Sequence, residues 1–184
     1  MKKILFMIVF VCIISALAIS INVFAQAASG KVEVSFTFTQ QKGFASNQFA
    51  VWIEDREGRH IKTLYATRFT ANGGWQRREH SLALWVKQSN LAGMNKSQVD
   101  AITGPTPKNG TLRYIWDGTN SRGEAVSAGE YHILVEGTLR NENYVIYTAV
   151  IKLGEKSQVN AKAEYFGSST AERGMIGPVT VTCN

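Results

Sequence analysis

The chain has 184 residues, of which 45% are hydrophobic, with 20 Lys and Arg against 14 Asp and Glu and a formal net charge of +6. That length suits one domain able to bury a core of its own. Two cysteines, Cys12 and Cys183, rule out a disulfide-stapled scaffold. The cations are spread along the chain (Arg56, Arg59, Arg77, Arg78, Lys152, Lys156) rather than gathered into the basic stripe that a nucleic-acid partner requires.

Met1-Lys2-Lys3 is a short basic start, and residues 4–21 are apolar apart from Ser15 and Ser20. Val23-Phe24-Ala25 then sets small residues at the two key positions of a signal-peptidase site. The reading is a cleavable signal peptide over 1–25 and a mature chain, 26–184, in the periplasm or outside the cell. An uncleaved anchor is the alternative, because the apolar run is nearly long enough to span a bilayer. With Cys12 inside the apolar run, Cys183 is the one cysteine of the mature chain, so an internal disulfide is excluded.

Val32, Val34, Phe36 and Phe38 alternate with polar residues, the period of a half-buried strand. Phe49, Val51 and Ile53 continue the theme to Glu57-Gly58, and Ile61 to Tyr65 runs back, which predicts a hairpin over 48–67. Leu82, Trp85, Val86 and Ser89 fit helical spacing and predict one short helix near 80–90, although Arg77-Arg78 before it opposes the helix dipole. The stretch 91–109 reads as a long structured loop. Leu112, Tyr114 and Trp116 share a strand face, and Tyr131, Ile133 and Val135 form another. After an Asn141-Glu142-Asn143 turn, residues 144–152 are apolar on both faces, which predicts a central strand. Residues 154–174 read as loop with a loose strand around 159–166, and Val179, Val181 and Cys183 mark a last strand. The sum is an all-β, immunoglobulin-like antiparallel β-sandwich with one short helical insertion, as a single domain over 26–184.

Two stretches carry resemblances. Trp116-Asp117-Gly118, Gly123, Val126, Gly129 and Tyr131 resemble the strand connection of the immunoglobulin-like domain in flagellar hook-capping proteins, which implies a structural role with Trp116 and Tyr131 in the core. Ala50-Val51-Trp52-Ile53-Glu54, Lys62-Thr63-Leu64, Leu82 with Trp85, Asp100 to Thr106, Trp116-Asp117-Gly118 and Val135-Glu136 occur in order. This set resembles the predicted periplasmic proteins of domain-of-unknown-function family 2271. The resemblance implies an exported β-sandwich encoded beside membrane redox and iron-uptake proteins, hence a membrane redox or uptake protein as partner.

Within that set, Asp100, Thr103, Gly104 and Thr106 resemble the motif at which flavin transferases attach FMN to a threonine hydroxyl, with Pro105 where alanine is usual. Thr106 is the candidate attachment site; otherwise the expectation is a loop without a cofactor. Trp52, Trp75 and Trp85 are a candidate binding surface for sugars or haem. Trp52 is out of phase with Phe49, Val51 and Ile53, and its other reading is packing under the helix with Trp85. His60, His80 and His132 stand in separate elements without ligand spacing, so no metal is expected, and Cys183 reads as a buried, inert thiol. With no nucleophile elbow or carboxylate pair, the chain reads as a non-catalytic binding or accessory protein near an envelope redox or metal-uptake system. A covalent FMN carrier and a structural module of an envelope assembly are the alternatives. Oligomeric state is left open.

Overall fold

The computed structural model describes residues 30–42, 47–168, 170 and 173–184. The expected signal peptide therefore lies outside the described residues. Period-two alternation does what it predicts in β1 (Val32–Phe38), where Val32, Val34, Phe36 and Phe38 are all buried. Nine more strands follow among the described residues: β2 (Gln48–Asp55), β3 (His60–Thr67), β4 (Thr103–Gly104), β5 (Gly110–Trp116), β6 (Gly129–Arg140), β7 (Asn143–Leu153), β8 (Ser157–Asn160), β9 (Lys162–Phe166) and β10 (Thr180–Cys183). They form a four-stranded sheet, β5-β1-β10-β8, and a six-stranded sheet, β4-β3-β2-β6-β7-β9. The pairings are antiparallel except β3 with β4, which is parallel. The molecule is an all-β sandwich.

The main core lies between the sheets. Phe36 meets Phe49 edge-on at 5.6 Å, and Trp116 meets Tyr131 at 4.9 Å, so both aromatics of the hook-capping-like connection face inward. Their polar atoms are satisfied locally: Trp116 Nε1 donates to the Thr119 carbonyl at 2.8 Å and the Tyr131 hydroxyl to the Ser127 carbonyl at 2.8 Å. Gly118 and Gly123, with φ of 72° and 79°, turn the chain between them. β1 and β10 lie side by side, Val32 opposite Cys183, and Asn184 N donates to the Lys31 carbonyl at 3.0 Å. Cys183 is buried, as its phase implies.

Between β3 and β5 runs the insertion. It comprises a wide turn (Thr70–Gly74), α1 (Trp75–Arg77), α2 (Ala83–Gln88), a tight turn (Leu91–Gly93) and α3 (Lys96–Ile102). Two expectations are corrected here. The expected loop over 91–109 holds α3, whose start is a capping box: Asn95 Oδ1 accepts from Gln98 N and the Gln98 side chain accepts from Asn95 N. β7 lies between β6 and β9, the interior place expected of it, although the strands buried on both faces are β2 and the middle of β6 and Val150 on the outer face of β7 is 46% exposed. The insertion covers β2 and β6, and of β7 only Ile146 packs against the second core. Second, 154–166 is two strands rather than one loose strand. β8 pairs with β10 in one sheet and β9 with β7 in the other, with the chain crossing at Ala161.

Candidate functional site

The outer face of β2, β3 and β6 carries Ala50, Trp52, Ala66 and Leu134, and the insertion sets Ala71, Leu82, Trp85, Leu91 and Val99 on it as a second core. Polar groups tie this layer down. Trp52 Nε1 donates to Glu54 at 2.8 Å, Trp85 Nε1 to the Thr63 hydroxyl at 3.0 Å, and Leu82 N to the Thr138 hydroxyl at 3.0 Å. Leu82 stands in the left-handed region at φ 53°, a costly conformation for a leucine, and that bond helps hold it there. Glu136 of β6 has no solvent exposure and accepts from Trp85 N at 2.8 Å and Leu84 N at 3.3 Å, capping α2 from the sheet. Burial pushes its carboxyl up to about 7, and the two N–H donors offset only part of that cost.

Trp52 and Trp85 are thus wholly buried neighbours in this second core and present no ring face to a ligand; Trp75 is half-buried in α1. The three do not assemble into a stacking surface. The flavin-like segment is also pinned. Asp100 lies in the last turn of α3 and pairs with Lys96. Thr103 and Gly104 form β4, paired with Ala66 and Thr67. A Cβ on Gly104 would come 2.7 Å from the Tyr65 ring, so only glycine permits this approach. The Tyr65 hydroxyl donates to the Pro105 carbonyl, and Gln40 Nε2 donates to the Pro107 carbonyl at 2.7 Å. Thr106 is half-buried between these two anchors.

Beside β4 the insertion leaves a cleft of about 610 Å³, walled by β3, the 89–102 segment, Ile115 and the 121–122 turn. Ile115 is 52% exposed on its wall, an apolar residue turned away from the face of Leu112, Tyr114 and Trp116. Met94, Ala101 and Ile102 add further apolar surface. The cations of the cleft are already matched. Lys62 Nζ donates to Asp117 at 2.9 Å and to the Thr119 hydroxyl at 2.6 Å. The Thr119 hydroxyl, with Lys62 beside it, holds the Asp117 carboxyl down to about 2. Arg122 pairs with Glu124 at 2.7 Å. Burial lowers His60 to about 4, so it is neutral at pH 7. Ser89 Oγ, in a residue only 6% exposed, lines the cleft and has no hydrogen-bond partner among the described residues.

One contact here has the form of a catalytic pair: His60 Nε2 lies 2.8 Å from Thr63 Oγ1. That oxygen also accepts from Trp85 Nε1, and Thr63 is 5% exposed. A lowered pKa makes His60 a weak base, and a buried hydroxyl already engaged twice is a poor nucleophile. The contact orients the wall of the cleft. Among the described residues no group of three His, Cys, Asp or Glu side chains could hold a metal ion. Sequence reasoning missed the cleft, since its walls come from segments far apart in the chain. The outward phase of Ile115 was its single legible sign.

A family model described as predicted periplasmic protein (DUF2271) matches residues 29–169. No curated protein and no solved structure gives a significant match.

Proposed function

The chain belongs to this family of predicted periplasmic proteins, DUF2271, and on that premise we propose that it is a non-catalytic binding or accessory domain of the envelope. Its ligand is uncharged and partly apolar, held in the cleft between β3 and the insertion. The observation that carries this reading is the buried Ser89 hydroxyl, unpartnered among the described residues, in a cleft whose cations are neutralised and whose wall exposes Ile115. Work beside a membrane redox or metal-uptake system is the setting that the family resemblance supports.

Nile red, an uncharged apolar dye, tests the reading. The exported protein should enhance its fluorescence saturably, and Ala101→Trp, which fills the cleft from α3, should abolish the enhancement while the fold persists by circular dichroism. No enhancement, or an enhancement indifferent to Ala101→Trp, would sink the assignment.

A further inference from the structure

A second cleft, of about 620 Å³, opens where β2 begins and β6 turns into β7. We propose that it binds a small molecule carrying an oxyanion, a phosphate or carboxylate group. Arg77, Arg78 and His80 line it together with the amides of Gln48, Gln76 and Asn141. Glu79, the one carboxylate among the lining residues, is 88% exposed and lies 3.5 Å from His80 Nε2. Arg77 makes no ion pair among the described residues. The Phe69 ring backs both arginines, 4.6 Å from the Arg78 guanidinium and 5.8 Å from that of Arg77. That support explains a dipeptide that makes poor sense as the start of a helix: Arg77 ends α1, and α2 begins only at Ala83.

Gln48 points to the ligand independently. It is 7% exposed, and its Oε1 accepts from the Thr70 hydroxyl at 3.2 Å, itself 2.6 Å from the Ser81 hydroxyl. This chain of contacts orients the amide and leaves Nε2 as a donor without a partner among the described residues. An amide N–H on a residue only 7% exposed, beside the Arg77 guanidinium, suits an acceptor-only guest, and an oxyanion takes charge-assisted bonds from both. The volume leaves room for a body larger than the anionic group itself.

The test is calorimetric titration of the exported protein with inorganic phosphate and with citrate, against sodium chloride at equal ionic strength. Co-sedimentation with phosphatidylglycerol and with phosphatidylcholine vesicles forms a parallel arm. Saturable binding of either free anion is expected, weakened roughly tenfold or more by Arg77→Ala and less by Arg77→Lys. Binding confined to phosphatidylglycerol vesicles, and lost in Arg77→Ala, would keep the oxyanion chemistry and place its source in a lipid headgroup. Arg77 is exposed, so its variants keep the fold, as circular dichroism would verify. Binding in neither arm, or binding that Arg77→Ala leaves unchanged, overturns the proposal.

Discussion

Replacing Glu136 by glutamine should abolish the pH dependence of stability that this carboxylate imposes. In the folded chain its pKa is raised from 4.5 to about 7 by burial. A raised folded pKa means that the group's contribution is fully present below the unfolded value and is lost as pH rises through about 7. Each unit of separation corresponds to about 1.4 kcal/mol, so the wild type should lose about 2 to 3 kcal/mol between about pH 5 and about pH 8 from this group alone. Glutamine cannot ionise. Its carbonyl oxygen keeps the bond from Trp85 N, and its NH2 group faces Leu84 N, sacrificing the longer contact at 3.3 Å. Glu136→Gln should therefore match the wild type within about 1 kcal/mol near pH 5 and exceed it by about 2 kcal/mol near pH 8. Urea unfolding of both proteins at the two pH values measures this, and the difference between them removes every other titrating group. If the two proteins lose stability in parallel, or the variant is weaker by the same margin at both pH values, then the donors from Leu84 and Trp85 outweigh the cost of burial and the reasoning fails.

Asn95→Ala removes half of the capping box of α3 and should cost about 1 kcal/mol in chemical denaturation, with amide exchange accelerated in residues 96–102. Gly104→Ala sets a methyl group 2.7 Å from a ring that also packs on Phe49 and Tyr114, so a loss of about 1 to 3 kcal/mol and a lower melting temperature are expected. Coexpression with a flavin transferase should leave the intact mass of the mature chain without an FMN increment, because Thr106 sits half-buried on a segment tied at Pro105 and Pro107. An increment that disappears in Thr106→Ala would establish the flavin carrier instead.

The strands whose two faces differ in polarity were legible from alternation alone. Val32 to Phe38 and the strand ending at Cys183 lie where period two places them, and the 48–67 hairpin lies where its apolar run and the Glu57-Gly58 turn place it. The double burial of β6 was not legible because its outer face contains Glu136 and Thr138, residues that normally mark a wet face. They are buried because backbone N–H groups of the insertion need acceptors there, a demand that no strand-by-strand reading contains. The β8–β9 division was hidden by composition: both are exposed edge strands with few apolar residues, so hydrophobic phase is weak exactly where the chain changes sheets. α3 was not legible because its apolar residues, Val99, Ala101 and Ile102, are too few for a periodic signal. Of the candidate site residues, the tryptophans fell on the second core, while the cleft walls are a product of tertiary assembly. Neither oxyanion nor neutral cleft can be seen before the insertion is folded onto the sheet.

The pairing of β1 with β10 also decides how the domain answers to pulling. Lys31 and Asn184 lie together at one end of two antiparallel strands, so tension that separates them meets the β1–β10 bonds one after another, from Val32–Cys183 inward. Such a zipper opens at low force, whereas strands loaded lengthwise share the strain over every bond at once. A domain tethered through both of these points would be a soft spring in its envelope, yielding first at the β1–β10 seam.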